Sequence, residues 1–174
     1  MIIWLTGISG SGKTTIATEI IRKYKDIFPN LINVDGDIVR DFFDKSLGYD
    51  IDARVTQIKR IQKICKFLER QGLILVVSAL YSSPELMKWN RRNFLNYYEI
   101  YLDTSLNLVK SRDPKNLYKK FEDGKEKNIV GIDIPWHAPI NYDLKIKMNE
   151  NTLVEDVMKK ISMNIKIFRD IKQK

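Results

Sequence analysis

The sequence predicts an α/β fold, in which a mainly parallel sheet of five strands is flanked by helices. Two patterns support this prediction: short apolar runs, several of them nearly continuous, and stretches between them in which apolar residues recur at helical spacing. Continuous apolar runs are typical of strands buried on both faces of a parallel sheet. Strands that alternate with helices are typical of this fold class. The length of 174 residues fits one domain.

Five apolar runs account for the predicted strands. They are Ile2–Thr6, Leu31–Val34, Leu73–Leu80, Tyr98–Leu102 and Leu144–Met148. Between and after them, three stretches place apolar residues on one helical face, which predicts amphipathic helices. These are the face of Ile16, Ile20, Ile21 and Tyr24, the face of Val55, Ile58, Ile61, Cys65 and Leu68, and a closing helix that spans Leu153 to Ile171 and has a basic outer face.

One segment interrupts the alternation of strands and helices. Residues from Asp113 to Pro139 combine Lys, Gly, Asp and Pro with little apolar periodicity, which predicts a long segment without regular structure. Such a segment is usually a functional lid or a disordered insert. The sequence has no internal repeat and no Ser/Gly-rich linker, so we expect one domain over residues 1–174 with a lid at about residues 113–139.

Composition narrows the functional classes. The 30 Lys and Arg residues exceed the 22 Asp and Glu residues, and the net charge of +8 favours an anionic partner. No apolar run approaches the roughly 20 residues of a membrane-spanning helix. Gly7 and Lys13 interrupt the apolar start, which argues against a secretory signal. The single cysteine, Cys65, excludes an internal disulfide and a Cys-rich metal site. We therefore expect a cytoplasmic protein.

The most informative motif lies between the first predicted strand and the first predicted helix. Gly7-Ile8-Ser9-Gly10-Ser11-Gly12-Lys13-Thr14 matches the pattern G-x-x-x-x-G-K-[ST] in the structural context that this pattern requires. In such a loop, backbone N–H groups and a helix N-terminus surround an anion. Lys13 would reach the β- and γ-phosphates, and the Thr14 hydroxyl would bind Mg²⁺. The motif predicts an ATP site formed by Gly7, Ser9, Gly10, Ser11, Gly12, Lys13, Thr14 and Thr15.

Two carboxylates follow the second predicted strand. Asp35 and Asp37 would lie near the crevice at the carboxyl ends of the parallel strands, where ligands bind in open α/β sheets. Either could orient Mg²⁺ or accept a proton from an attacking hydroxyl, although Asp and Gly are also common turn residues. The neighbouring phosphate loop favours a functional Asp35. Basic residues converge on sites of phosphoryl transfer, which makes Arg40, Arg54 and Arg112 candidates.

From Trp4 to about Asp143 the chain resembles the adenylylsulfate kinases, a family of P-loop kinases. The motifs that carry the resemblance are Gly7–Thr15, Asp35-Gly36-Asp37 with Val39-Arg40, Leu47-Gly48-Tyr49, Arg54 with Ile58 and Arg60, Arg112–Lys120, Lys127-Asn128, Gly131-Ile132-Asp133, Pro135 and Pro139. The resemblance implies a P-loop kinase fold, transfer of the γ-phosphate of ATP to the ribose 3′-hydroxyl of adenylylsulfate, a requirement for Mg²⁺, and a homodimer.

The resemblance also implies roles for individual residues. Asp35 would act on the 3′-hydroxyl proton and, with Thr14, on the metal. Arg40 and Arg54 would hold the phosphate or sulfate of the second nucleotide, while Arg112 would flank the ATP base. The remaining substrate-binding residues would be Asp37, Tyr49, Gln57, Tyr81, Ser82, Ile129 and, reaching in from the lid, Lys127.

The departures from the family pattern concentrate around the second nucleotide. Tyr81 stands where the family has serine, Gln57 replaces an asparagine, and Ile129 stands where the family has a phenylalanine that stacks on the substrate adenine. Loss of one base-stacking aromatic ring costs about 1–3 kcal/mol if values for single-stranded nucleic acids apply. These changes favour a smaller base or another phosphate substituent, as in the relatives that act on cytidine diphosphoramidate in capsule phosphoramidate synthesis.

Three alternatives stay open at this point. The chain could be an authentic adenylylsulfate kinase that makes 3′-phosphoadenylylsulfate in sulfate assimilation. It could instead be a nucleotide-binding regulatory module without transfer, although the presence of Lys13, Thr14, Asp35 and Arg54 argues against this. A nucleic-acid binder is suggested only by the charge, because no recognised nucleic-acid motif is present. We therefore expect a small-molecule nucleotide partner, and neither nucleic acid nor membrane.

Overall fold

A parallel sheet of five strands forms the centre of the computed structural model, which describes residues 1–43, 47–80, 83–113 and 116–173. The strands are β1 (Ile2–Thr6), β2 (Leu31–Asp35), β3 (Ile74–Ser78), β4 (Tyr97–Thr104) and β5 (Leu144–Met148). Their order in the sheet is β2-β3-β1-β4-β5, and every neighbouring pair is parallel. The predicted fold class is therefore confirmed, and all five predicted strands are present.

Helices connect the strands. They are α1 (Lys13–Tyr24), α2 (Gly36–Asp41), α3 (Ile51–Arg70), α4 (Pro84–Asn93), α5 (Leu106–Arg112), α6 (Leu117–Glu122), α7 (Val154–Asn164) and α8 (Lys166–Arg169), followed by a 3₁₀ turn over Asp170–Gln173. Carboxylate side chains cap two of them: Asp35 accepts a hydrogen bond from the backbone of α2, and Asp50 from the backbone of α3. Within the described part of the chain, none of these helices combines the length and the apolar character needed to cross a membrane.

The alternating side chains of β1 divide the core into two layers. Ile2 and Trp4 pack with residues of α3 and α4 on one face of the sheet, while Ile3 and Leu5 pack with residues of α1 and α7 on the other. All four side chains are completely buried. This burial on both faces explains the uninterrupted apolar run at the start of the chain.

The prediction of one continuous closing helix was wrong. α7 ends at Asn164 because Ile165 adopts an extended conformation, with φ −90° and ψ 115°, before α8 begins. The predicted apolar face is nevertheless buried, since Ile161, Ile165 and Phe168 are each at most 1% exposed. Phe168 stacks on Tyr24 of α1 with ring centres 4.0 Å apart. The extended backbone at Ile165 thus interrupts the helix, while the Ile165 side chain still packs in the core.

The segment 113–139 also differs from the prediction, because it contains α6 and a small core of its own. In this core the buried side chains of Tyr118 and Ile129 pack with Ile8 and Val109. Ile8 and Val109 lie outside the segment, so the segment lacks a local apolar period even though it has a buried face. The prediction of a segment without regular structure was therefore wrong.

The strand order determines where the functional residues meet. β1 lies between β3 and β4, and β2 lies on the far side of β3, so the carboxyl ends of β1, β2 and β3 adjoin at one edge of the sheet. The connection that follows β1 leads toward β2, whereas the connection that follows its neighbour β4 leads toward β5. The two connections therefore diverge at this edge, and ligands bind at such a point in open α/β sheets. The motif that follows β1 and the carboxylates that follow β2 are thereby brought together.

Candidate active site

The loop between β1 and α1 requires glycine at specific positions. A Cβ atom on Gly7 would lie 2.8 Å from the Leu102 carbonyl oxygen and 2.6 Å from Ser11 Oγ, so a side chain cannot fit there. Gly12 has φ 93°, a left-handed conformation that few other residues adopt, and α1 begins immediately after it. The curled loop is closed by a hydrogen bond of 3.2 Å from the Ser11 amide to the Ile8 carbonyl. This geometry matches the predicted phosphate loop.

The Lys13 side chain folds back across this loop. Its Nζ donates hydrogen bonds of 2.8 Å to the carbonyl oxygens of both Gly7 and Ile8, and one of 3.3 Å to Ser11 Oγ. These contacts hold the ammonium group beside the backbone that would surround a phosphate. A fixed positive charge at this place can neutralise charge on a transferring phosphoryl group.

The Asp35 carboxylate is buried, at 8% exposure, and accepts hydrogen bonds from three elements. Oδ1 accepts a bond of 2.8 Å from the Asp37 amide, while Oδ2 accepts bonds of 3.0 Å from Thr14 Oγ1 and 2.9 Å from Ser78 Oγ. Ser78 is a residue that the sequence prediction missed. It is the polar end of an otherwise apolar strand, paired in register with Asp35, and that pattern could have revealed it.

Thr14 and Asp35 are also the predicted metal ligands. Their contact places a hydroxyl and a carboxylate oxygen side by side, and oxygen donors are what Mg²⁺ prefers. The described residues contain no cluster of three or more His, Cys, Asp and Glu side chains that would form an all-protein site. A Mg²⁺ ion held by one or two protein oxygens together with substrate phosphates fits this donor set.

These groups line a cavity of about 800 Å³. A smaller cavity of about 170 Å³ between α1 and α7 contains none of the predicted site residues. The predicted residues that line the large cavity are Ser9, Gly10, Gly12, Lys13, Thr14, Thr15, Asp35, Asp37, Arg40, Tyr49, Arg54, Gln57, Arg112, Lys127 and Ile129. Gly7 and Ser11 are buried behind the loop surface, and Tyr81 and Ser82 lie outside the described residues.

Two guanidinium groups flank Tyr49 in the wall of the same cavity. The Arg40 and Arg54 guanidinium carbons lie 4.6 and 5.7 Å from the centre of the Tyr49 ring. Arg40 donates hydrogen bonds to the carbonyl oxygens of Leu47 and Gly48, and Arg54 Nε donates one of 2.8 Å to the Tyr49 carbonyl. Aromatic and backbone contacts thus orient two cations that can bind an anion bidentately.

The Gln57 side chain is 5% exposed and lies one helical turn beyond Arg54 in α3. Its Nε2 donates a hydrogen bond of 2.9 Å to the Gly36 carbonyl. This contact determines the orientation of the amide, because a carbonyl oxygen can only accept. The other amide atom, Oε1, is buried and accepts no hydrogen bond from the described residues. A buried acceptor of this kind is costly unless a ligand supplies a donor.

The segment 113–139 contacts both sides of the cavity. The Tyr118 hydroxyl donates a hydrogen bond of 3.2 Å to the Ser9 carbonyl in the phosphate loop. Burial, together with the charge of Asp113, raises the pKa of Tyr118 to about 12, so the hydroxyl keeps its proton. On the other side, Arg54 Nη2 donates a hydrogen bond of 2.6 Å to the Asn128 carbonyl. Sequence reasoning missed both contacts, and the second has no side-chain signal because a backbone oxygen makes it.

The remaining predicted residues occupy the rim or wall of the cavity. Both Lys127 and Arg112 are exposed, and Arg112 donates a hydrogen bond of 3.0 Å to the Asn149 carbonyl. Ile129 is only 1% exposed, since most of its side chain packs in the small core with Tyr118 and Val109. At this position, where the family pattern has a phenylalanine, the cavity wall therefore offers no aromatic ring.

Comparison with known proteins identifies the family. The family model of adenylylsulphate kinase matches residues 1–147. An adenylyl-sulfate kinase of Rippkaea orientalis is 38% identical over 157 residues, which cover 90% of this chain and 87% of that protein. A cytidine diphosphoramidate kinase of Campylobacter jejuni is 36% identical over 167 residues, which cover 93% of this chain and 96% of that protein.

A solved structure supports the same assignment. The structure of an APS kinase from Mycobacterium tuberculosis in complex with AMPPNP and APS has a TM-score of 0.83 and 27% identity, and the match covers 92% of this chain and 94% of that one. Sequence identity does not separate the two kinds of relative, which differ by only two percentage points. The chain belongs to the adenylylsulphate kinase family, and it is a nucleotide kinase of that type.

Proposed function

We propose that this kinase transfers the γ-phosphate of ATP to the ribose 3′-hydroxyl of a nucleotide with a modified phosphate, and that cytidine diphosphoramidate is this nucleotide. One observation carries the reaction type. A buried carboxylate, Asp35, adjoins the phosphate loop in the same cavity that holds the guanidinium pair of Arg40 and Arg54. The cavity thus offers one anion site for ATP, a second for another nucleotide, and an acid–base group between them.

On the ATP side, the backbone amides of the phosphate loop bind the phosphates and Lys13 neutralises the charge that moves with the γ-phosphate. Arg112 flanks the base at the cavity mouth. Thr14 and Asp35 would hold Mg²⁺, which when bound supplies further positive charge beside the β- and γ-phosphates. Positioning and charge neutralisation are the main contributions that proteins make to phosphoryl transfer.

Asp35 acts on the attacking hydroxyl. The 3′-oxygen forms a bond to the γ-phosphorus, the bond from that phosphorus to the β,γ-bridging oxygen breaks, and ADP leaves with that electron pair. The hydroxyl proton passes to the carboxylate of Asp35. The hydrogen bonds from Thr14, Ser78 and the Asp37 amide hold the carboxylate in place for this role.

Arg40 and Arg54 bind the phosphate groups of the second nucleotide, because guanidinium groups suit bidentate contacts with phosphate oxygens. The segment 113–139 acts as a lid that excludes water, and Lys127 approaches the site from it. The contacts of this segment with Ser9 and with Arg54 support a closed arrangement over both anion sites.

Two features favour cytidine diphosphoramidate over adenylylsulfate. The buried Ile129 supplies no aromatic ring for stacking on adenine, which favours a smaller base. The Gln57 Oε1 atom is a buried acceptor that needs a donor. A sulfate group presents only acceptor oxygens, whereas the phosphoramidate nitrogen carries N–H donors. The kinship with the cytidine diphosphoramidate kinase of Campylobacter jejuni agrees with this choice.

Phosphorylation of adenylylsulfate is the second candidate, since the relative from Rippkaea orientalis is an adenylyl-sulfate kinase of similar identity. A substrate panel decides between the two. The purified chain with ATP and Mg²⁺ is offered cytidine diphosphoramidate, adenylylsulfate or CDP, and the 3′-phosphorylated product is measured by chromatography. We expect kcat/KM to be at least about tenfold higher for cytidine diphosphoramidate.

A higher kcat/KM for adenylylsulfate would overturn the proposed substrate and leave the reaction type intact. Absence of turnover with every nucleotide, in protein that still binds ATP, would overturn the reaction type and favour a regulatory module. The Lys13→Ala variant lacks the cation of the phosphate loop, so any turnover measured in its preparation reports contaminating kinases.

A further inference from the structure

We propose that Asp133 is a positioning residue, which sets the anion-binding geometry of Arg54 through the lid carbonyl of Asn128. Asp133 itself is exposed and does not line the cavity. The inference rests on the proposed function in one respect, namely that Arg54 binds the second nucleotide.

The first step is a carboxylate clamp on the lid backbone. Asp133 Oδ2 accepts a hydrogen bond of 2.6 Å from the Asn128 amide, and Oδ1 accepts one of 2.5 Å from the Ile129 amide. Both oxygens of one ionised group therefore hold two consecutive amides, and hydrogen bonds to a charged acceptor are the strong ones. The clamp connects the two ends of a turn that the buried side chains of Val130 and Ile134 stabilise.

The second step is the backbone conformation that this clamp holds. Asn128 has φ 64°, in the left-handed region, where residues with a side chain are uncommon and asparagine is among the least disfavoured. Without the two hydrogen bonds to Asp133, this residue would relax toward more populated conformations. The direction of its carbonyl would then change, because that direction follows from the backbone dihedral angles.

The third step is the contact between that carbonyl and the guanidinium group. Asn128 O accepts a hydrogen bond of 2.6 Å from Arg54 Nη2, while the Tyr49 carbonyl accepts one of 2.8 Å from Arg54 Nε. Two backbone oxygens, one beside α3 and one on the lid, thus orient a guanidinium that is 8% exposed. A guanidinium carries five N–H donors, so this orientation is compatible with bidentate binding of a phosphate. Loss of the Asn128 contact removes one of the two backbone oxygens that orient the cation.

The test compares Asp133→Asn and Asp133→Ala with a matched control, Asp123→Ala. Asp123 is another exposed aspartate of the same segment, and its side chain pairs with Lys125 at 3.2 Å. In Asp133→Ala we expect KM for the second nucleotide to rise about tenfold while KM for ATP changes less than about twofold. Asp133→Asn, which retains one acceptor oxygen, should lie between Asp133→Ala and the unsubstituted chain. Asp123→Ala should match the unsubstituted chain.

A double-substitution cycle tests the route through Arg54. In an Arg54→Lys background, Asp133→Ala should change KM for the second nucleotide by less than about twofold, because the guanidinium that it positions is absent. Additive effects of the two substitutions would overturn the proposal. So would equal changes in the KM values for ATP and for the second nucleotide, which a general loss of lid structure would produce.

Hydrogen exchange in the ligand-free chain separates this inference from the proposed function. Asp133→Ala should raise the exchange rates of the Asn128 and Ile129 amides at least about tenfold, and Asp123→Ala should not. Unchanged exchange would overturn the clamp even in an active kinase. Faster exchange in a chain that turns over no nucleotide would support the clamp and contradict the proposed function.

Discussion

Ser78 and Asp35 lie opposite each other on β3 and β2, and the Ser78 hydroxyl donates a hydrogen bond of 2.9 Å to Asp35 Oδ2. Ser78 is 4% exposed, so this hydrogen bond is shielded from competing water. The same oxygen accepts a hydrogen bond from Thr14, the first hydroxyl after the phosphate-loop lysine. The sheet register therefore sets the distance between the carboxylate and the phosphate loop.

Replacement of Ser78 by alanine should lower kcat about tenfold, because the Asp35 carboxylate loses one of the donors that orient it. KM for ATP should change little, since the Ser78 hydroxyl donates to Asp35 and, among the described residues, to no atom of the phosphate loop. Asp35→Asn should lower kcat further, by about 10²–10⁴, because the base is lost. Steady-state kinetics with the preferred nucleotide check both values. The control is Ser162→Ala, which removes a buried serine of α7 that donates a hydrogen bond to the Lys159 carbonyl and does not line the large cavity.

Replacement of Lys13 by alanine should abolish measurable transfer, a loss of at least about 10³-fold, because no other described cation lies within the phosphate loop. The product assay with excess enzyme gives the necessary sensitivity. Lys159→Ala, which removes a charge from the exposed face of α7, should keep the rate of the unsubstituted chain. Substantial turnover by Lys13→Ala would contradict the assignment of the phosphate loop.

Replacement of Gln57 by methionine should change selectivity more than stability. The variant lacks the Oε1 acceptor, so kcat/KM for cytidine diphosphoramidate should fall about tenfold while that for CDP changes about twofold or less. The control is Gln62→Met in the same helix, where the glutamine donates to the Leu86 carbonyl and to Asn90 and does not line the cavity. That variant should lose stability and keep the substrate ratio. Equal losses for both substrates in Gln57→Met would show that Oε1 does not recognise the N–H group.

Glu99 should make the stability of the fold depend on pH. Its side chain is completely buried in β4, and burial raises its pKa from 4.5 to about 7, against the opposing effects of Tyr97 and Arg91. The folded state then binds the proton more tightly than the unfolded chain does, so the free energy of unfolding falls as pH rises from about 5 to about 7. The fall amounts to at most roughly 3 kcal/mol.

Urea denaturation of the unsubstituted chain and of Glu99→Gln, at intervals between pH 5 and pH 8, measures this dependence. The difference in unfolding free energy should shift in favour of Glu99→Gln as pH rises, because the amide cannot ionise. Parallel curves for the two proteins would contradict a raised pKa. The site lies toward the amino end of β4, away from the phosphate loop, so ATP affinity should not follow the same pH dependence.

The strands and the phosphate loop could be predicted from the sequence because each depends on a local pattern. Trp4 and Leu5 are apolar because both faces of β1 are covered, and that requirement leaves a continuous apolar run. Gly7 occupies a position where a Cβ atom would collide with its neighbours, and Gly12 has a left-handed backbone conformation that favours glycine. Patterns of this kind need no knowledge of the rest of the chain.

The parts that could not be predicted depend on contacts between distant residues or on backbone atoms. The Arg54–Asn128 contact joins residues 74 positions apart through a carbonyl oxygen that every residue type carries. The break at Ile165 is a choice of backbone dihedral angles within an apolar period that continues unchanged across it. Neither feature alters the residue types from which periodicity is read.

The Ile8 side chain occupies an x position of the phosphate-loop motif, where any residue satisfies the pattern. In this protein it is 5% exposed and forms part of the small core beneath α6, together with Tyr118 and Ile129. The phosphate loop and the segment 113–139 therefore share one apolar contact region. A shift of the loop would be transmitted to this segment through that apolar contact as well as through the hydrogen bond from Tyr118 to Ser9, and the size of the residue at position 8 would set how tightly the two move together.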